Sequence, residues 1–356
     1  MIILAIGDQH FTTKNIPEID KFIETTTDIA TSVKPDIIVL LGDLLHSHEK
    51  INTIPLNKAY IFIKKMRDIA LTFILVGNHD YINASQFLTD NHWLNSLKEW
   101  DNVIVVDKVI HHNIDGKLLV FSPYVEPTRF EEALNTTENW KNASLIFCHQ
   151  EFFGCNMNGN YISNQGKWDL SYPQIIAGHI HTRQHLQKNI YYTGSSMETE
   201  WRDETVQSSL NSSNTIALIK LDDNINIEEI DLKLNKKVKI HLNIDELDSF
   251  VIPETEDTIK LQISGIPYEE FNTLKMTTKY KELVENNIKI DFEFSKSEVK
   301  VNNEKLKSII NDSSLNDFST IFDSIAKKRT DKQYHIIYET VMNGRTIKEE
   351  DILSIY

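Results

Sequence analysis

"LLGDLLHSHEK", residues 40–50, places Gly42, Asp43, His46 and His48 directly after an apolar run. Alone, the stretch reads as the end of a strand and a polar turn. It gains chemical meaning only if other apolar runs end the same way. They do. "IILAI" (2–6) leads into "GDQH", with Asp8 and His10. "LTFILV" (71–76) leads into "GNHD", with Asn78, His79 and Asp80. "SLIFCH" (144–149) ends on His149, and "QIIAGH" (174–179) leads through His179 to His181. Six of the 13 histidines, His10, His46, His79, His149, His179 and His181, lie at these ends or just past them.

The runs also define the fold class. Together with "DIIVLL" (36–41), "NVIVV" (102–106), "KLLVFS" (117–122) and "TIALIKL" (215–221), they mostly lack polar alternation, as expected of strands buried on both faces. Helical segments separate the first three: "PEIDKFIETTTDIATSV" (17–33) and "PLNKAYIFIKKMRDIA" (55–70), each opening on proline. Strand and helix in alternation make an α/β layered fold, and such sheets collect ligands beyond the carboxyl ends of their strands.

The 356 residues predict a large domain (1–235), a small α/β domain (240–305) and a C-terminal segment (306–356). In the small domain, "DTIKLQISG" (257–265) and "IKIDFEFS" (288–295) read as strands joined by a helical crossover over 268–286. The polar "DETVQSSLNSSN" (203–214) reads as a loop. A hydrophobic share of 40% with 25% charged residues is that of a folded chain, and no run is long enough to cross a bilayer. "IILAI" is too short for the core of a signal peptide. Two cysteines, Cys148 and Cys155, without zinc-type spacing suit a reducing intracellular, cytoplasmic setting. A net charge of −15 argues against gripping nucleic acid by a broad basic surface of the chain's own, although a partner can supply one.

Mixed carboxylate, imidazole and amide-oxygen donors suit first-row divalent ions better than Mg²⁺ alone. In "DQH" and "HIH" two donors stand two residues apart and point the same way from extended chain. Two ions about 3.5–4 Å apart clamp the attacking and leaving oxygens of a phosphoryl displacement, and water acidified there serves as nucleophile. Asp43, central in the series, is the natural shared ligand. The glycines before Asp8, Asp43, Asn78 and His179 are expected to let the chain turn sharply.

The ordered series "DxH", "GDxxH", "GNHD", a lone histidine and "GHxH" resembles the calcineurin-like metallophosphoesterase superfamily over residues 8–181. The resemblance implies a four-layer α-β-β-α sandwich. It implies Asp8, His10, Asp43 and His181 on one ion and Asp43, Asn78, His149 and His179 on the other. It casts His79 as the residue acting on the leaving oxygen, with His46 nearby to orient the phosphate or His79. Serine/threonine phosphatases of the superfamily carry "GDxxDRG" and "GNHE". "GDLLHSH" and "GNHD" look instead like the Mre11/SbcD nucleases, and "YTGSSMETEW" (192–201) is similar to their Gly-Ser segment. The shortness of the chain and "HQEFFGC" (149–155) are similar to viral and phage members. That likeness implies a Mn²⁺-dependent DNA exo- and endonuclease working with an SbcC/Rad50-like ATPase. A phosphoesterase of small diesters or monoesters is the alternative.

Other residues carry two readings each. Asp80 is expected to orient a histidine from behind the ligands. Arg183 and Lys188 either meet a phosphate backbone or are solvated. Trp168, Tyr192 and Trp201 either stack on bases or pack in the core. His48 is expected in solvent, and His111, His112, His185, His241 and His335 are expected at surface or structural positions. "SQFLTDNHWLNSL" (85–97) is either a surface helix or a homodimer contact. "STIFDSIAKK" (319–328) and "HIIYETVM" (335–342) either pack at home or dock the ATPase.

Overall fold

The computed structural model describes residues 1–48, 50–158, 161–198, 201–203, 214–267 and 270–294. The polar stretch at 203–214, apart from its end residues, and the two proposed docking segments at 319–328 and 335–342 lie outside them, as does His335.

The strands are β1 (Ile2–Ile6), β2 (Ile37–Leu40), β3 (Leu71–Leu75), β4 (Val103–Val106), β5 (Ile110–Ile114), β6 (Lys117–Ser122), β7 (Leu145–His149), β8 (Asn156–Asn158) and β9 (Tyr161–Ile162). They continue with β10 (Ile175–Gly178), β11 (Gln184–Gln187), β12 (Ile190–Tyr192), β13 (Arg202–Asp203), β14 (Thr215–Leu221), β15 (Ile225–Asp231), β16 (Lys237–Asn243), β17 (Thr258–Ile266) and β18 (Lys289–Phe294). The helices are α1 (Ile16–Val33), α2 (Thr53–Ile69), α3 (Phe130–Leu134), α4 (Phe271–Leu274) and α5 (Thr278–Glu285).

Two six-stranded sheets form the larger part, in the orders β15-β14-β1-β2-β3-β4 and β11-β12-β10-β7-β6-β5. Strands β1 to β4 are mutually parallel, as are β12, β10, β7 and β6. Parallel neighbours need long crossovers, and α1 and α2 supply the first two. Helix α1 stops where Lys34 turns left-handed at φ 52° ahead of Pro35. Helix α2 starts where the Asn52 side chain accepts from the Ile54 amide.

Strand β1 shows why the runs lack polar alternation. Its Ile3 and Ala5 join the core between the sheets, with Phe73, Leu119, Phe121 and Phe147. Its Leu4 and Ile6 join the outer core under α1 and α2, with Phe22 and Phe62. The two sheets meet at Phe73 and Phe121, stacked with centroids 4.0 Å apart. The outer face of the second sheet is covered by α3 and by Trp140, Phe152 and Trp168. This is the four-layer α-β-β-α sandwich, its fourth layer thin and mostly loop.

Several local expectations change. Residues 85–97 do not form one helix. Only Trp93–Glu99 is helical, as a 3₁₀ turn that buries Leu94 and Leu97 in the chain's own core. The crossover expected over 268–286 is two short helices, because Thr277 caps α5 by accepting from the Tyr280 amide. Trp168 and Tyr192 are buried and unavailable for stacking on a base, while Lys260 lies over the Trp201 ring. Cys148 and Cys155 are free and buried.

The chain divides into two compact units, one of Met1–Ile240 with Glu254–Lys260, the other of His241–Pro253 with the residues from Leu261 onward. In the second, Leu247, Leu261, Ile263, Ile266, Leu283 and Ile288 are buried. Among the described residues no helix is long and apolar enough to cross a membrane.

Candidate metal centre

Strands β1, β2 and β3 of the first sheet and β7 and β10 of the second end together. Asp8, His10, Asp43, Asn78, His79, His149, His179 and His181 are delivered to that one place. Asp8, His10 and His181 bring one donor atom each within 4.8 Å of one another, and so do Asp43, His149 and His179. Nε2 of His10 lies 2.9 Å from Nε2 of His181. Asn78 Oδ1 lies 3.0 Å from His149 Nε2 and 2.8 Å from His179 Nδ1. Asp43 Oδ2 lies between the groups, 3.6 Å from His10 Nε2 and 3.3 Å from His149 Nε2. An ion held about 2.1 Å from nitrogen or oxygen spaces neighbouring donors about 3 Å apart. The donor set therefore fits two divalent cations with Asp43 between them.

The loops that carry these donors are conformationally costly. Asp8, His10, Asp43 and His179 have φ of 43°, 48°, 53° and 78°. The left-handed region is unfavourable for residues with a Cβ, by about 1–2 kcal/mol each, and such outliers gather where surrounding structure enforces a functional geometry. Of the four glycines expected to turn the chain, only Gly42 has a positive φ. Gly77 serves a different end: a Cβ there would collide with the Asp43 carboxylate and backbone nitrogen.

Backbone donors hold the carboxylates. The His179 amide donates to Asp8 at 2.9 Å and the His79 amide to Asp43 at 2.8 Å. Nδ1 of His149 donates to the Leu41 carbonyl at 2.7 Å, which fixes the tautomer and leaves Nε2 facing the centre. Nδ1 of His79 donates likewise to the His46 carbonyl at 2.7 Å.

Electrostatics agree with a cation site. Burial pushes the Asp8 carboxyl up to about 7, with His149 opposing and Asp43 adding to the rise. Burial works to raise Asp43, but the imidazole of His149 holds it well below the carboxylate range. Burial takes His10 well below its usual value and His179 down to about 3, so both are neutral bases at pH 7. Burial works to lower His149, but the Asp43 carboxylate lifts it to about 9, so a divalent ion has to displace its proton, while the buried carboxylates and the neutral His10 and His179 are ready donors.

Asp80 does not orient a histidine. Its Oδ2 accepts from the Asp43 amide at 2.9 Å and the Gly77 amide at 3.0 Å, and its Oδ1 from the Trp93 indole at 2.9 Å. It thus ties the second and third loops together. Arg183 is engaged structurally, 3.0 Å from Glu229 and 3.2 Å from Thr215 Oγ1. Lys188 sits in the β11–β12 turn next to Ile190. Because Ile190 pairs with Ile175 at the start of β10, Lys188 lies at the sheet end away from the centre. His46 is exposed, and its carbonyl makes the hydrogen bond to His79. His48 is not free in solvent; its ring stacks on His79, 4.5 Å away.

Three supporting residues escaped the motif reading. Ser195 Oγ donates to the Asp8 carbonyl at 2.7 Å, Ser196 Oγ to the Gly7 carbonyl at 2.6 Å, and Trp93 holds Asp80. The serines lie within "TGSS", where the Gly-Ser likeness marked the segment without giving its task. Nothing in the sequence distinguishes Trp93 from the other four tryptophans.

The fold and the donor set are those of a metal-dependent phosphoester hydrolase. A family model for calcineurin-like phosphoesterases matches residues 1–183, and the chain belongs to that family. Its relatives include protein 078R of Invertebrate iridescent virus 3, 38% identical over 83% of this chain and 85% of the relative. They also include protein 244L of Invertebrate iridescent virus 6, 41% identical over 77% and 96%. Both viral proteins carry a phosphoesterase name. A solved structure of GAP50, the anchor in the inner membrane complex of Plasmodium, matches at 15% identity and a TM-score of 0.43, over 65% of this chain and 85% of that one.

Proposed function

We propose that this phosphoesterase is a DNA nuclease of the Mre11/SbcD type, cutting phosphodiesters with Mn²⁺ beside an SbcC/Rad50-like ATPase. Recombination, repair or viral genome processing is the setting that reading implies. The observation that carries it is the pairing of His46 with His79. Serine/threonine phosphatases place an acidic, arginine-containing motif after the second strand, whereas here a histidine-bearing loop reaches the "GNHD" histidine. A small α/β unit after residue 240 is also the layout of that group. The proposal extends to a homodimer and to partner docking by residues 306–356.

Asp8, His10, Asp43 and His181 would hold one ion, and Asp43, Asn78, His149 and His179 the other. Bound there, two divalent ions supply an acidified water and neutralise charge on the phosphoryl oxygens. The chain's own part is to position and to move a proton. Asp80 and the His79 amide fix Asp43, and Ser195 and the His179 amide fix Asp8. With Nδ1 committed to the His46 carbonyl, His79 has Nε2 to hold a proton at the leaving oxygen.

The test is Mn²⁺-dependent degradation of end-labelled single- and double-stranded DNA, beside a small chromogenic phosphodiester and an Asp43→Ala control. DNA cutting that Asp43→Ala abolishes supports the nuclease. Turnover of the small ester with intact DNA, unchanged by an SbcC/Rad50-type partner, favours a small-substrate phosphoesterase instead.

A further inference from the structure

We infer that His48 is a positioning residue for phosphoester cleavage, acting through His79. The inference rests on the role given to His79 above. The ring of His48 is near-parallel to that of His79, at 16°, with centroids 4.5 Å apart. The ring of His46, the residue the motif singles out, is farther off, at 5.5 Å and 14°. His46 holds His79 through its backbone carbonyl, and His48 holds it through its ring face. Nδ1 of His48 in turn lies 3.4 Å from the Tyr81 carbonyl, two residues beyond His79. The loop after β2 thus grips the loop after β3 at His79 and again at Tyr81.

The consequence is mechanical. The hydrogen bond from His79 Nδ1 and the perpendicular His10 ring, 4.9 Å away, do not by themselves hold the face of the ring against a swing about that bond. A stacked ring blocks the swing and fixes where Nε2 points. His10, His46 and His79 bring ring nitrogens within 4.8 Å of one another, so Nε2 operates in a crowded space where small misplacement is costly. His48 is partly buried and offers a flat face. Stacking needs the ring and not its nitrogen chemistry.

The experiment uses the full chain loaded with Mn²⁺ and two small phosphodiesters. One releases a nitrophenolate, which leaves without a proton, and the other an alkoxide, which needs one. His48→Ala is expected to lower kcat on the alkoxide ester about tenfold, with a far smaller loss on the nitrophenyl ester and with KM and metal content kept. His48→Phe is expected to restore most of the alkoxide rate. Equal loss on both esters, loss of metal, a rise in KM in place of the fall in kcat, or rescue by His48→Gln and not by His48→Phe would each overturn the inference. His79→Ala is run alongside. If it shows no dependence on the leaving group, the role of His79 fails. If it shows that dependence and His48→Ala does not, only the role of His48 fails.

Discussion

The indole Nε1 of Trp93 donates to Asp80 Oδ1 at 2.9 Å, fixing the carboxylate that binds the amides of Asp43 and Gly77. The tryptophan touches no donor, yet it sets where the shared ligand stands. Trp93→Phe keeps the aromatic packing and removes one hydrogen bond to a buried carboxylate, worth about 1–3 kcal/mol. The expected result is a lower melting temperature and weaker metal binding. Calorimetric unfolding with and without Mn²⁺ checks both.

Asp43 lies within 3.6 Å of His10 and 3.3 Å of His149, one from each donor group. Asp43→Ala is expected to lower bound metal from two equivalents towards none and to abolish turnover. Metal analysis after dialysis reads the first, and hydrolysis of a chromogenic phosphodiester reads the second. Retention of two ions would show that Asp43 is not shared.

His79→Leu separates binding from chemistry. Its backbone amide still reaches Asp43, so two metal equivalents are expected to remain. The imidazole is gone, and the rate on a poor leaving group is expected to fall roughly 10²–10⁴-fold. Loss of the metals in this variant would make His79 a ligand.

Metal affinity is expected to weaken as pH falls. Burial pushes the Asp8 carboxyl up to about 7, so in the metal-free chain it carries a proton below that pH. A cation has to displace that proton at pH 6 but not at pH 8, in addition to the His149 proton present at both, because against its burial the Asp43 carboxylate lifts that imidazole to about 9. Calorimetric titration with Mn²⁺ in two buffers of different ionisation enthalpy is expected to show more protons released at pH 6, with lower affinity. Equal proton release at both pH values would contradict the assignment of Asp8.

Gly77→Ala tests the packing of the third loop. The added methyl would meet the Asp43 carboxylate and backbone nitrogen. A soluble chain with little metal and little activity is expected, measured by metal content and hydrolysis. Full metal content in this variant would show that the loop yields easily.

Much of the centre was legible because strand ends are short-range features. An apolar run that leads into Gly-Asp, Gly-Asn-His or Gly-His-x-His, or that closes on a histidine, marks its own carboxyl end, and five such ends in order leave few alternatives. Asp80 was visible as a residue, but its task was not. Its partners are the amides of Asp43 and Gly77 and an indole 13 residues on, and no local pattern links them. Spacing alone cannot say which ring meets His79, and by spacing His48 reads only as a solvated neighbour of His46. Lys188 looked close to "GHIH" in sequence, yet the antiparallel return of β11 carries it to the other end of the sheet.

The sequence by itself determined the α/β class, the strands that carry donors and the donor types, since hydrophobic patterning and residue chemistry are local properties. Only the tertiary structure decided that Asp43 stands between the two donor groups and that Asp8, His10, Asp43 and His179 sit in left-handed backbone. It alone placed Trp93, Ser195, Ser196 and His48 as supports. Those relationships join residues up to 189 positions apart, Gly7 to Ser196 and Asp8 to Ser195 among them, and arise only when two sheets pack face to face and bring their strand ends together.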